Sequence, residues 1–190
     1  MNYQSDIEHA LLEFASTFPP YDRAPLTQMS QFSSGLVFAH LLASVDHFPL
    51  SQRDLELECP RWIEKLTNLK KIVQKIESYV GEGNKLVSTK DIDLIEIAKH
   101  DSSEHIQRLF ELVIAVFMQS PHKEDYIQTI MRLDERSQQA LVVIVQNAID
   151  ERLADSSEGG SQNKLLEHLQ ELTNENELLK EELEEITTAS

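Results

Sequence analysis

Apolar residues recur every three or four positions through most of the chain, which is the period of an amphipathic helix. The first such run follows a capping-box pattern at Ser5 and Glu8, and Pro19-Pro20 ends it. No segment alternates long enough to predict a sheet, so the predicted fold class is all-α. The expected helices lie near residues 5–18, 32–48, 62–80, 92–98, 104–119, 124–133 and 134–153.

Two of these helices have patterns that also predict their surroundings. The third has an unbroken apolar stripe, and the turn Gly81-Glu82-Gly83-Asn84 closes it; the stripe consists of Trp62, Leu66, Leu69, Val73, Ile76 and Val80. The fifth contains Leu112 to Met118, which is apolar on every side, so we expect it at the centre of the domain. This longest apolar run is far shorter than the roughly 20 residues of a membrane span, which predicts no membrane crossing.

The carboxyl-terminal part of the chain has a different pattern. A small, polar stretch at residues 154–162 reads as a flexible linker between a domain at 1–153 and the start of a coiled coil at 163–187. Apolar residues then alternate at spacings of four and three, the seam of a heptad repeat, formed by Leu165, Leu169, Leu172, Asn176, Leu179, Leu183 and Ile186. A buried Asn176 favours a parallel dimer. The alternative is a single solvated helix.

The charge balance narrows the class of partner. The chain has 17 Lys and Arg against 33 Asp and Glu, a formal charge of −16. This sign argues against nucleic acid and anionic lipid, so we expect a protein partner. A single cysteine, Cys59, cannot form an intramolecular disulfide, and the start Met1-Asn2-Tyr3-Gln4 lacks a signal-peptide pattern, which together predict a cytosolic protein.

No motif predicts catalysis. The seven histidines stand singly, without metal-ligand spacing to each other or to Cys59, so no metal site and no cofactor are predicted. Gly81 to Lys85 lacks the ending of a P-loop and follows a helix. Acidic pairs such as Asp91 and Asp93 stand in polar surroundings that keep both carboxylates ionised. We expect a binding protein and not an enzyme.

The last helix of the domain carries the main candidate site. Ala140 to Val145 is apolar over more than half of the helix surface, and Gln138 and Val145 share a face. The pattern fits a terminal helix buried by its own domain, and it also fits a groove for a partner helix. The candidate partner-binding residues are Gln138, Leu141, Ile144, Val145, Ala148 and Ile149.

An ordered set of motifs resembles the amino-terminal domain of Hook proteins, a calponin-homology-like helical fold with an added last helix that precedes a coiled coil. The motifs are Phe32-Ser33-Ser34-Gly35-Leu36, Trp62 with Asn68-Leu69-Lys70-Lys71-Ile72, Asp91-Ile92-Asp93-Leu94-Ile95, the apolar helix at Leu109 to Met118, and Tyr126-Ile127-Gln128-x-Ile130-Met131. They extend over most of residues 5–153. The stretch between Phe48 and Trp62 is shorter than in animal members, which indicates a distant relative.

The resemblance implies a motor adaptor of the cytoplasm and microtubule cytoskeleton. In that family the domain binds a carboxyl-terminal helix of the dynein light intermediate chain, and a dimeric coiled coil holds dynein and dynactin together and takes cargo at its far end. A Gln and an Ile of the last helix contact the motor's helix in the family; they align with Gln138 and Val145. Val145 is one methylene smaller than Ile, which is worth roughly 1 kcal/mol if it is fully buried.

An alternative is a calponin-homology domain that binds microtubules or actin directly. The residues that would carry it are Arg61, Lys65, Lys70, Lys71 and Lys75. Residues 154–190 hold ten acidic and two basic residues, which leaves the domain itself at −8, and an acidic domain is repelled by the acidic microtubule surface. Actin-binding versions usually occur in tandem, and this chain has one copy.

Overall fold

The structure, a computed structural model, describes residues 3–80, 89, 91–153 and 160–188. Within these ranges it contains α-helices and two short 3-10 helices, Met29–Phe32 and Gln52–Asp54, and no strand. The all-α prediction is therefore confirmed. The helices are α1 (Tyr3–Ala15), α2 (Leu36–Leu42), α3 (Trp62–Val80), α4 (Leu94–His100), α5 (Ser103–Gln119), α6 (Lys123–Met131), α7 (Glu135–Leu153) and α8 (Gly160–Thr188).

Helix α5 lies at the centre of the domain, as its all-round apolar pattern predicts. It packs against α1, α2, α3, α4, α6 and α7. Phe110 and Phe117 on α5 are fully buried. The Phe117 ring stacks on Tyr126 of α6 with centroids 4.1 Å apart, and it meets Phe14 of α1 at 6.1 Å. These aromatic contacts fix the positions of α1 and α6 around the central helix.

The second predicted helix is shorter than the apolar pattern indicates. Gly35, with φ +80°, stands in the left-handed region immediately before α2. The predicted helix at 32–48 is therefore reduced to the seven residues of α2, and a separate 3-10 helix ends at Phe32. A Cβ on Gly35 would lie 2.9 Å from Ile72 Cδ1 of α3, so the backbone approaches α3 as closely as only glycine permits. The residues after Leu42 continue as turns.

The first helix also differs from its prediction at both ends. It begins at Tyr3, so Ser5 lies inside the helix and the expected capping box is not its start. It ends at Ala15, before Pro19-Pro20, where the Ser16 and Thr17 hydroxyls donate to the carbonyls of Leu12 and Phe14. The other predicted helices of the domain are confirmed, with ends that differ by at most two residues. The turn predicted at Gly81–Asn84 lies outside the described residues.

Helix α8 begins at Gly160, inside the stretch predicted as linker; residues 154–159 of that stretch lie outside the described residues. It turns back along α7 and contacts both α7 and α6. Bonds from Gln139 to Glu177 and from Lys180 to Glu135 show that the two helices run antiparallel. Among the helices formed by the described residues, none combines the length and hydropathy that a membrane span requires.

Candidate functional site

The candidate site is built on α7, whose first turn is anchored to α1. Asp134 precedes the helix and caps it: its Oδ1 accepts the Ser137 backbone N–H at 2.8 Å. Its own backbone N–H donates to Glu13 Oε1 of α1 at 3.2 Å. Ser137 is fully buried, and its hydroxyl donates to the other oxygen of Glu13. The start of α7 is therefore held in register with α1.

A small charged cluster at the same place strengthens this anchor. His9 Nε2 lies 3.0 Å from Asp134 Oδ2 and 3.6 Å from Glu13 Oε2. Partial burial raises the pKa of Asp134, but hydrogen bonds from His9 and from the Ser137 backbone outweigh it, and the pKa lies well below its usual range. One nitrogen of His9 and one carboxylate oxygen each of Glu13 and Asp134 lie within 4.8 Å of one another, a spacing that a divalent cation can bridge. In the structure they are hydrogen-bonded between the two helices.

Sequence reasoning missed this cluster because its members are far apart in the chain. His9 and Asp134 are separated by 125 positions, and no local spacing connects them. The only sequence signal was the acidic residue directly before a helix, which predicts the capping role of Asp134 but not its partners.

Gln138 has a structural role that its sequence position did not reveal. Its side chain is buried, with 6% exposure. Its Nε2 donates to the Leu133 carbonyl at 2.7 Å and to the Met131 carbonyl at 3.0 Å. These carbonyls belong to the end of α6 and the turn after it, where no N–H group of the same helix is available to bond them. Gln138 therefore joins α7 to the end of α6.

The remaining described candidates lie in the core. Leu141, Ile144 and Val145 have exposures of 0%, 1% and 0%. The apolar side of α7 is therefore packed against other helices of the domain. This is the arrangement expected for a terminal helix that its own domain buries. The side chains of Ala148 and Ile149 lie outside the described residues. A role of these residues in binding a partner stays a prediction.

The face of α7 that points away from the core is covered by α8. Gln139 Nε2 donates to Glu177 Oε1 at 2.8 Å, and one turn earlier Glu135 is ion-paired with Lys180. Val142 lies on the same face by helical spacing and is only 9% exposed, which fits its position beneath α8. Helix α8 thus closes over the outward side of α7.

The predicted coiled-coil seam faces solvent where the structure describes it. Leu179, Leu183 and Ile186 are 56%, 63% and 70% exposed. The side chains of Leu165, Leu169, Leu172 and Asn176 lie outside the described residues. Pairing of this seam with a second chain stays a prediction.

The basic residues of the alternative site are partly occupied within the domain. Arg61 pairs with Glu64 at 2.7 Å, and Lys65 donates to Ser33 Oγ at 3.2 Å. Lys71 donates to a backbone carbonyl at 2.6 Å. Three of the five basic candidates therefore have hydrogen-bond or ion-pair partners within the domain.

Trp62, the first residue of the predicted apolar stripe on α3, lies at the surface of the domain. Its ring is 37% exposed, and Lys99 Nζ lies 4.4 Å from the ring centroid in a cation–π contact. Ile63 and Ile95 are 51% and 47% exposed. In the stripe that begins at Trp62, only Leu69 and Ile76 are fully buried.

The fold and the site together define an all-α domain that is closed by an additional helix clamped to the first one. Its structure is similar to the solution structure of the conserved domain of mouse HOOK1, with a TM-score of 0.65 at 23% identity over 77% of this chain and 92% of that one. Residues 6–147 match the sequence profile of the HOOK domain, and the chain belongs to the HOOK domain family.

Curated relatives agree with this assignment. Human Protein Hook homolog 1 is 27% identical over 174 residues, which covers 85% of this chain and 24% of the relative. Chicken Protein Hook homolog 1 is 30% identical over 176 residues, 86% of this chain and 24% of the relative. Protein hook of Drosophila erecta is 26% identical over 164 residues. The chain thus spans about a quarter of the length of the curated relatives that it matches.

Proposed function

We propose that the chain is the HOOK domain of a non-catalytic motor adaptor, and that α7 binds an amphipathic helix from the carboxyl terminus of the dynein light intermediate chain. The observation that carries the proposal is the position of Gln138. It lies at the edge of α7 that faces α6, on the same helix face as Val145, and it holds two backbone carbonyls with its amide. A partner helix offers the same kind of backbone group.

Binding at this edge requires α6 and α7 to separate locally. The Gln138 amide then exchanges the carbonyls of Met131 and Leu133 for polar groups of the partner, an exchange that is nearly neutral in free energy. The apolar side chains at 141 and 145 lose contacts with the domain and gain contacts with the partner's apolar face. The net driving force is the apolar surface that the partner helix removes from water.

The wider assembly follows from the same proposal. The heptad seam of α8 continues into a longer coiled coil in the intact protein, which pairs as a parallel homodimer and connects dynein and dynactin to cargo. The protein then works in the cytoplasm on the microtubule cytoskeleton. Direct binding of microtubules or actin is not favoured, because Arg61, Lys65 and Lys71 are occupied within the domain.

Calorimetric titration of the 190-residue chain with a light intermediate chain helix peptide tests the proposal. We expect saturable binding by the wild type, weaker binding by Val145→Ala, and binding at least as tight as wild type by Val145→Ile. Circular dichroism of each variant must show an intact fold, since Val145 is fully buried. Absence of binding by the wild type and by every folded variant, including variants that weaken the contacts between α7 and α8, would contradict the proposal. Cosedimentation with microtubules and with actin would then test the alternative.

A further inference from the structure

Helix α8 packs against α7, the helix that carries the residues proposed to bind the partner. It contacts α6 as well as α7, so it spans the groove between these two helices. Gln138 joins the same two helices through its bonds to the Met131 and Leu133 carbonyls. The groove, the residue proposed to bind the partner and α8 are therefore parts of one three-helix contact.

We propose that α8 is an intramolecular occupant of the partner-helix site, and that it must leave before the partner binds. This inference rests on the proposed function, because it assigns a regulation to the same site. It adds a second state of the domain, in which α8 has swung away and the edge of α7 is open.

The contacts between α8 and α7 are of a kind that a partner helix can displace. Its described bonds to α7 are polar: Glu177 accepts from Gln139, and Lys180 pairs with Glu135. Exposed ion pairs of this kind contribute little free energy and compete with water. The described leucines of α8, Leu178, Leu179 and Leu183, are exposed to solvent and do not contribute to this contact. The contact between α8 and α7 therefore contributes little free energy. It forms nevertheless, because the short connection to α7 keeps the effective concentration of α8 high.

The binding of a partner helix is weakened by the fraction of time that α8 is docked. The apparent Kd equals the intrinsic Kd divided by the open fraction. A variant that releases α8 without touching the partner-binding residues should therefore bind more tightly. Glu135 and Lys180 offer such a variant, since neither belongs to the candidate binding set.

Charge reversal of this pair in the full 190-residue chain tests the inference. Lys180→Glu places two carboxylates together and should tighten binding of the light intermediate chain helix peptide by about threefold to fivefold in calorimetry. The double variant Glu135→Lys/Lys180→Glu restores the opposite charges and should return the wild-type affinity. Glu135→Lys alone should behave as Lys180→Glu does. The double variant is the matched control, because it carries both changes and has the net charge of the wild type.

A crosslink provides a readout that does not depend on charge. In a Cys59→Ser background, Gln139→Cys and Glu177→Cys place thiols at two positions whose native side chains are hydrogen-bonded. A reducible bis-thiol reagent that joins them should abolish peptide binding, and reduction should restore it. The same chain left unlinked lacks the Gln139–Glu177 bond and should bind at least as tightly as the wild type.

The outcomes separate this inference from the proposed function. Tighter binding by the single variants, rescue by the double variant and loss of binding on crosslinking support it. Equal peptide affinity in all charge variants, or full binding by the crosslinked chain, overturns the α8 mechanism and leaves the proposed function standing. Absence of binding by every variant, including reduced and unlinked chains, overturns both.

Discussion

The amide of Gln138 donates to the Leu133 carbonyl at 2.7 Å, across the turn that connects α6 to α7. A second bond to Met131 makes this side chain the cap of α6. Gln138, which we propose to bind the partner helix, thus also connects α6 to α7 within the domain. Its loss should affect stability before it affects binding.

The variant Gln138→Met should lower the free energy of unfolding by about 2 kcal/mol, because it keeps the side-chain length and removes the donor from two carbonyls. Chemical denaturation followed by circular dichroism measures this. Gln139→Met is the matched control: it changes the exposed neighbour and should stay within about 0.5 kcal/mol of the wild type. Equal stabilities of the two variants would show that the Gln138 cap has no energetic weight.

Asn68 holds a loop to α3 with a fully buried amide. Its Oδ1 accepts the Glu56 N–H at 2.8 Å, and its Nδ2 donates to the carbonyls of Glu56 and Ser34. Asn68→Leu should cost about 3 kcal/mol, since it leaves these buried backbone groups without partners. Thr67→Val, on the exposed neighbour, should be nearly neutral in the same thermal and denaturant unfolding measurements. A mild Asn68→Leu variant would mean that water replaces the lost bonds.

Gly35 permits the close approach of the chain to α3. Gly35→Ala should destabilise the domain by about 2 kcal/mol, because φ is +80° and the new Cβ would meet Ile72 Cδ1 at 2.9 Å. Ile72→Val removes this δ-carbon. The double variant should therefore lose less stability than the sum of the single changes, and a double-mutant cycle of unfolding free energies measures the difference. If the two changes in unfolding free energy are strictly additive, the loss of stability in Gly35→Ala comes from the backbone conformation alone and not from the contact with Ile72.

The low pKa of Asp134 predicts a pH-dependent contribution to stability. The carboxyl is harder to protonate in the folded state than in the unfolded state, where its pKa is about 3.8. Its stabilising contribution is complete above about pH 5 and is lost as the pH falls below the unfolded-state pKa towards the folded-state value. Asp134→Asn keeps a capping oxygen and removes the charge. The difference in unfolding free energy between wild type and this variant should shrink on acidification.

The cap itself is separated from the charge by a second substitution. Asp134→Ala should cost about 1 kcal/mol more than Asp134→Asn at every pH, because alanine has no oxygen for the Ser137 N–H. A wild-type advantage over Asp134→Asn that is constant from neutral to acidic pH would contradict the role of the charge.

The heptad seam of α8 predicts self-association through one face of the helix. Leu183 and Leu178 are 63% and 61% exposed, but only Leu183 belongs to the seam. Sedimentation equilibrium at rising protein concentration should show dimers of the wild type and of Leu178→Asp, and monomers of Leu183→Asp. Equal behaviour of the two variants would contradict the seam.

Much of the fold could be predicted because helix periodicity is a local property. The positions of α3, α5, α6 and α7 follow from apolar spacing alone, and the all-round apolar run of α5 places it in the centre. The apolar pattern did not show the break before α2. It is imposed by the approach of Gly35 to α3, a contact between residues that are distant in the chain.

The candidate site was predicted less completely, for a related reason. The spacing of Gln138 and Val145 placed them on one face, and the choice between a buried helix and an open groove could not be made from the pattern. The same apolar residues can pack inside the domain or line a groove, so this choice depends on how the helices pack. The bonds of Gln138 to α6 and the cluster around Asp134 depend on contacts that no local spacing encodes.

The sequence by itself determined the helical class, the central helix, the heptad pattern of α8 and the family motifs, because each is a repeating or contiguous pattern along the chain. Only the tertiary structure decided which face of α7 is covered, what Gln138 binds and where α8 lies. These depend on the free energies of packing between separate helices, and helices of the same amphipathic period can pack in more than one way.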